Sequence, residues 1–511
     1  MNATAVSQTP WCANCASLGA ALEAQLATAQ AKVAAQEEQI AQLRGQLTAA
    51  QEIAFKPREA FRTPPLEDAP SHAHDVQDGP RPRGQQRGAP GHGRELHPSL
   101  PTDHVLLYPD EAALHCPNCG APRIRIPGEA DTEILDFTFE VRVKKCHRPR
   151  YRSTCNCQAA PAVIAAPPPL RPIPRGNLSA AFLANLLVLK FALAMPLERI
   201  LLLLSFQGLD LSPGSVTGMF KRIADYLEPL HAAYLAHHLE AHAWHLDETR
   251  WKVWAQDHQG WDSPNGWLWV SVAPDLTVFL IDPHRSIDAV RRLFPEDANA
   301  RGILQSDMYG VYTPNTFPSD RFTLLKCWAH VRRYILRAAR TDERLAIWSR
   351  NWIERIRTMY SLMRIRNHTP DDPACQAALE AHLEKMRRTL VRQLREKASE
   401  PKRKVLDMVA WHWAELTAFA NHPGAVPDNN AAERAIRRPA LGRKNYQGSR
   451  AAWAADLAAA MFSIAETMRQ WQMDPIDYLT RYLEVCARAG GKAPSDLTPF
   501  LPWHTPQGPP P

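Results

Sequence analysis

Between Pro427 and Arg450 the chain reads PDNNAAERAIRRPALGRKNYQGSR. The stretch holds six Arg or Lys residues and two acids, Asp428 and Glu433. Its pattern predicts a helix. Asp428 is placed to cap the N-terminus, and Glu433 stands four residues before Arg437, the favourable order for an ion pair on a solvated face. A sharper reading makes Glu433 a metal ligand and the arginines a grip on a phosphate backbone. That reading requires carboxylates elsewhere in the chain to meet this one. Two-metal phosphodiester chemistry needs a few of them, converging from different elements.

Three acids have suitable settings. Asp247 lies in HLDETRW (245–251), a strand candidate. Glu248 is its neighbour, and adjacent strand side chains point to opposite faces, so one of the two can face a given site. Asp307 lies in LQSDMYG (304–310), where an apolar strand gives way to a turn. Glu433 is the third. Asp282, ending VFLID (278–282), is a fourth candidate that spacing does not exclude. Singly, each has an ordinary structural role as turn former, strand-edge charge or ion-pair partner. Mg²⁺ prefers oxygen ligands and keeps several waters, so two or three carboxylates suffice.

A chain of 511 residues is too long for one compact core, and two to four domains are expected. Hydrophobic content of 45% is ordinary for a soluble protein. A net charge of +7 and a pI near 8.9 permit a polyanionic partner without demanding one. The start, MNATAVSQTPWCANC, lacks the basic and apolar regions of a secretory leader, which predicts a cytoplasmic protein. The most apolar region, residues 178–206, is interrupted by Lys190, Pro196, Glu198 and Arg199, so it reads as buried helices and not a membrane span. Seven of the ten cysteines precede residue 160, several as close pairs. That distribution points to metal ligation in a reducing compartment.

Seven-residue spacings of Leu22, Ala29, Gln36, Leu43 and of Leu26, Val33, Ile40, Leu47 make an a/d seam, predicting a coiled coil over 16–52 and a homo-oligomer. Cys12 and Cys15 precede it. Residues 53–102 are Pro-, Gly- and Arg-rich and read as a basic linker. Residues 103–175 carry strand-like runs between cysteine pairs. Cys116 and Cys119, then Cys155 and Cys157, suit a structural Zn²⁺, with Cys146 or His147 as alternative ligands because the second pair is a tight C-x-C. Six basic residues from Arg142 to Arg152, with no acid among them, suit a module gripping phosphates. Residues 176–235 read as helical, with a Gly208 break and a Ser212–Pro213 start that suit a helix-turn-helix for DNA. From 236 to 470 short aromatic strands alternate with helices, and an all-helical block fills 340–420. A C-terminal helix over 471–490 and a Pro-rich tail over 491–511 complete the chain.

The segments LDET, SDMYGVY, CWAHVRRY, DNNAAERAIRRPALGRKNYQGS and AAMFSIAETMRQWQMDPIDYLTRYL, in this order, resemble transposases of the insertion sequence 66 family. The likeness extends upstream through a GAPGHG linker, the cysteine pairs and the segment from Ala166 to Val216. It implies a DDE enzyme with a ribonuclease H-like core, in which Asp247, Asp307 and Glu433 bind Mg²⁺ or Mn²⁺ and 340–420 is an insertion. Cys327 and His330 form a C-x₂-H like one seen in several such families, and packing at a strand-to-helix junction explains them equally well. The reaction implied is cleavage at the element ends and joining of the 3′-OH to target DNA, with both ends and target as duplex partners, and the resemblance thereby also implies nucleoid association. Arg434, Arg437, Arg438, Arg443 and Lys444 would hold phosphates, and small accessory proteins encoded by the element are possible partners. The competing reading is a zinc-dependent DNA-binding regulator with an inactive nuclease core. A third is a nuclease or resolvase that cleaves without joining.

Overall fold

The computed structural model describes residues 109–124, 139–152, 163–254 and 264–504. The predicted coiled coil, the Cys12–Cys15 pair, the 53–102 linker, Cys155 and Cys157 lie outside the described residues. The chain divides into two units, 1–131 and 132–511. In the first, Cys116 and Cys119 sit in a tight turn. The Gly120 N–H donates to the Cys116 carbonyl at 2.9 Å, and Gly120 takes a φ of +72° that suits glycine.

The second unit is mixed α/β. A small antiparallel pair, β1 (Arg150–Arg152) and β2 (Val163–Ala165), precedes the main structure. The main sheet has five strands: β3 (Ala243–Lys252), β4 (Asn265–Val272), β5 (Thr277–Asp282), β6 (Gly302–Ser306) and β7 (Phe322–Lys326). Their spatial order is β5-β4-β3-β6-β7. The first three form an antiparallel meander, and β6 and β7 join β3 in parallel. Central β3 follows a two-residue period: Trp244, Leu246 and Glu248 are buried, while His245, Asp247 and Thr249 are half-buried on the other face. Trp244 meets Phe294 and Phe322 edge-on, and its indole N–H donates to the His238 carbonyl at 2.7 Å.

Helices α1 (Ala180–Leu187), α2 (Leu197–Ser205) and α3 (Pro213–His237) precede the sheet. Gly208 (φ +77°) turns the chain after α2, and Ser212 caps α3 by accepting the Ser215 N–H at 3.1 Å. The helix α3 is built into the same core as the sheet. Its Val216, Phe220, Leu227 and Leu230 are buried, and His231 Nε2 lies 3.0 Å from the Phe279 carbonyl of β5. After β5 come α4 (Ile287–Leu293), then β6 and β7.

A helical block follows β7: α5 (Trp328–Thr341), α6 (Ala346–His368), α7 (Pro373–Arg395), α8 (Glu400–Trp411) and α9 (Trp413–Thr417). It has a core of its own. Trp348 and Trp352 donate their indole N–H groups to the same Gln393 oxygen, at 3.0 and 2.9 Å, and buried Arg366 binds the carbonyls of Phe419 and Ala420. The chain then returns to the sheet through α10 (Asn430–Tyr446), α11 (Ala452–Gln470) and α12 (Pro475–Arg488).

The edge strand β5 is buried at every position, and α11 supplies the polar partners it lacks. Ser463 accepts the Phe279 N–H at 2.8 Å, and Thr467 accepts the Thr277 N–H at 3.1 Å. Covering an edge with a helix removes a template for stray strand pairing. At the other end of β3, Gly448 lets the chain pass hard against it. A Cβ there would stand 2.1 Å from the Lys252 carbonyl, and φ is +116°. The close pass allows Ser449 to bridge beside Val253 and to accept the Trp251 indole N–H at 3.1 Å.

Candidate active site

Asp247 stands in the middle of β3, on the face that His245 and Thr249 share with α10. Glu248 points to the opposite, buried face, as strand alternation requires. Asp307 follows the last residue of β6. The parallel register sets His245 beside Gln305, so two residues further along Asp307 draws level with Asp247. Glu433 lies in the first turn of α10. That turn is tied down by Asn429, which is fully buried. Its amide nitrogen donates to the Leu246 carbonyl at 2.6 Å, its amide oxygen lies 3.3 Å from His245 Nδ1, and its backbone N–H donates to Cys327 Sγ at 3.2 Å. The cap position of this helix is Asn429, whose side chain makes no capping bond, and not Asp428 as the sequence pattern predicts; Asp428, one residue earlier, accepts the Asn430 N–H at 3.1 Å.

The electrostatics connect the three acids. Burial, Glu248 and Asp307 push the Asp247 carboxyl up to about 8, and Glu433 adds to the rise. Asp247 accepts the Glu248 N–H at 2.9 Å, and Asp307 accepts the Tyr309 N–H at 2.8 Å. Among the described residues neither aspartate has an ion-pair partner. The two alternative acids differ in this respect. Glu248 is bound by Arg285 and by the Tyr312 hydroxyl. Asp282 pairs with Arg292 at 2.9 Å and accepts the His284 N–H. Glu248 and Asp282 are thus already paired within the fold, whereas Asp247 and Asp307 have no cationic partner among the described residues.

Glu433 pairs away from its own helix. Arg333 of α5 reaches it at 3.2 Å and His330 Nδ1 at 3.5 Å, and the i,i+4 pair with Arg437 does not form. The basic residues of α10 divide into two sets. Arg438 pairs with Glu466, and Arg443 is half-buried with its guanidinium on Thr249 and the Arg250 carbonyl of β3. Arg434, Arg437 and Lys444 are exposed, with no ion pair among the described residues.

Several residues around Asp307 escaped the sequence reading. Lys326, at the end of β7, is buried. Its ammonium donates to Ser306 Oγ at 3.1 Å and to the carbonyls of Asp307 and Tyr312, both at 2.8 Å. Tyr309 donates its hydroxyl to the Arg285 carbonyl at 2.7 Å, and the Arg285 guanidinium lies over the Tyr309 ring. The turn carrying Asp307 is thereby held from two sides. The one sequence signal is a lysine closing an otherwise apolar strand, FTLLK.

Of the zinc candidates, Cys116 is described with its thiol held below its usual range by N–H groups of Cys119 and Asn118. Cys119 and Cys146 are exposed, free thiols.

A mixed sheet with two unpaired aspartates beside an arginine-bearing helix suits a protein that handles a polyanion. The chain belongs to the IS66 transposase family, whose sequence profile matches residues 175–457, more than half of its length. Membership implies a transposase that acts on DNA. Among curated proteins, the uncharacterised y4jD of Sinorhizobium fredii is 28% identical over 478 residues, covering 86% of this chain and 87% of its own. Two further proteins of that organism, y4hP and y4qI, also uncharacterised, are 26% and 24% identical over 431 and 405 residues. They cover 79% and 74% of this chain, and 75% and 71% of their own lengths. Among the described residues no helix is long and apolar enough to cross a membrane.

Proposed function

We propose that the chain is a DDE transposase, that its five-stranded sheet is a ribonuclease H-like catalytic core, and that Asp247, Asp307 and Glu433 are its metal ligands. The observation that carries this reading is geometric: the parallel register of β3 and β6 sets Asp307 level with Asp247, and Asn429 ties the Glu433 turn to the same strand, while burial and Glu248, then Asp307 and Glu433, raise the Asp247 carboxyl. Asp247 and Asp307, which repel one another and have no cationic partner among the described residues, fit a divalent cation, and Glu433 would exchange Arg333 for it. An all-oxygen set of this kind suits Mg²⁺ or Mn²⁺. When bound, the metal supplies positive charge to the attacking and leaving oxygens of a phosphodiester.

The protein's own share is placement. Asn429 holds the Glu433 turn against β3 and β7, and Lys326 holds the Asp307 turn. Arg434, Arg437 and Lys444 have free charges for DNA phosphates. In the proposed reaction, water cuts at the element end to leave a 3′-OH, and that hydroxyl displaces the leaving oxygen of a target phosphodiester. No covalent bond to the protein is required. Cys116, Cys119, Cys155 and Cys157 are proposed as a structural zinc site. With the 176–235 helices it would recognise the element's inverted repeats, and the 16–52 coiled coil would pair two protomers.

The test combines element-end DNA, a target plasmid and Mg²⁺ or Mn²⁺. Wild type joins ends to target. Asp247→Asn, Asp307→Asn and Glu433→Gln each lose at least about a thousandfold in joining while still binding the ends. Full joining by Glu433→Gln would reduce Glu433 to an ion-pair residue. Binding without cleavage in wild type would make the protein a regulator, and cleavage without joining would make it a nuclease.

A further inference from the structure

We propose that Cys327, His330 and Glu433 form a second metal site, of zinc type, that competes with the carboxylate site for Glu433. The inference rests on the proposed function only for the second role of Glu433. One ligand atom from each of the three residues lies within 4.8 Å of the others. They come from two elements: Cys327 and His330 flank the start of α5, three residues apart, and Glu433 faces them from α10. His330 Nδ1 is buried and has no hydrogen-bond partner, although it lies only 3.5 Å from Glu433 Oε1. A buried ring nitrogen without a partner, aimed at a carboxylate, is poorly explained by packing alone. Cys327 Sγ accepts the Asn429 N–H at 3.2 Å, a bond that supports a coordinated sulfur.

The donor set selects the metal. One sulfur, one imidazole nitrogen and one carboxylate oxygen suit Zn²⁺ and its spectroscopic substitute Co²⁺. Mg²⁺ has little affinity for the sulfur or the nitrogen. Three protein ligands leave a fourth position for water. On binding, the Cys327 thiol gives up its proton to solvent, and Arg333, half exposed, releases Glu433. Glu433 then belongs to the sulfur–imidazole pair and is withdrawn from Asp247 and Asp307. Zinc would therefore act as a brake on the magnesium reaction.

The test is a Co²⁺ titration of the metal-free full chain without DNA, read by thiolate-to-cobalt charge-transfer absorption and by equilibrium dialysis. The cysteine pairs near the N-terminus take cobalt too, so the readout is the difference between variants. Cys327→Ser should bind about one equivalent less than wild type, and His330→Gln should weaken that equivalent by at least about tenfold. Asp247→Asn should keep it. Equal equivalents and equal absorption in wild type, Cys327→Ser and His330→Gln would overturn the proposal. So would loss of the same equivalent in Asp247→Asn, which would assign the metal to the carboxylate site. Should Cys327→Ser fail to fold, His330→Gln, at a half-buried position, decides alone. A chain that binds this equivalent but never joins DNA would sink the transposase reading and leave the zinc site standing.

Discussion

Asp247 and Lys326 set opposite pH dependences within the proposed active site. The Asp247 carboxyl is pushed up to about 8, so the folded state holds a proton that the unfolded chain releases near 4. Its stabilising contribution is complete below pH 4 and is lost as pH rises through 8. Burial pushes the Lys326 ammonium down to about 8, so between pH 8 and 10.5 the unfolded chain binds more protons and stability rises with pH. The metal-free protein should therefore show a stability trough near pH 8. Asp247 should deepen the acid side by about 2–3 kcal/mol, less than the full shift would give because the effective dielectric around protein charges is well above that of a dry interior. Melting curves from pH 4.5 to 10 check this. Asp247→Asn should remove the fall toward pH 8, and millimolar Mg²⁺ should fill the trough. A wild-type profile that Asp247→Asn leaves unchanged would mean that the carboxyl is not strained.

At the scale of elements, the turn after β6 illustrates what a sequence carries and what it omits. Asp307 was legible because an apolar run ends at an acid followed by Met-Tyr-Gly. Its clamp was not legible, because Lys326 lies nineteen positions away and meets the turn only through the parallel pairing of β6 with β7. Strand order is a non-local property, and residue spacing holds no record of it. The same limit applied to Asp247, Glu248 and Asp282. Alternation said that Asp247 and Glu248 diverge, but only Arg285, Tyr312 and Arg292 distinguish the paired acids from the unpaired one. The helical block between β7 and α10 was legible from periodicity, as was α3 from its Ser-Pro start. The burial of α3 against β5 depended on the sheet. Replacing Lys326 by Met tests the clamp. Three oxygens lose their donor, which should cost about 2–3 kcal/mol in urea unfolding and lower joining with Asp307 itself intact. Unchanged joining by a stable Lys326→Met protein would show that the turn holds its shape without the ammonium.

For the whole molecule, the net charge of +7 says that DNA is an acceptable partner and does not say where it lies. The fold sharpens that by separating charges already spent from those still free. Arg438 pairs with Glu466, whose side chain is 4% exposed, and Arg443 is spent on β3. Arg434, Arg437 and Lys444 remain open to solvent on the helix that carries Glu433. Each phosphate contact releases condensed counterions, so the slope of log K against log salt counts contacts at about 0.9 per phosphate. Removing any of the three free cations should reduce the slope for element-end DNA by about one, with little change in melting temperature. Arg443→Ala should instead leave the slope unchanged and cost about 1–2 kcal/mol of stability through its lost bonds to Thr249 and Arg250. Arg438→Ala should fall between the two, because Arg469 still pairs with Glu466 while an exposed guanidinium is lost. Binding isotherms at several salt concentrations, set beside melting curves, separate these outcomes. If Arg443→Ala flattened the salt slope as much as Lys444→Ala, the guanidinium would have to leave β3 when DNA binds, and α10 would be a moving part of the site.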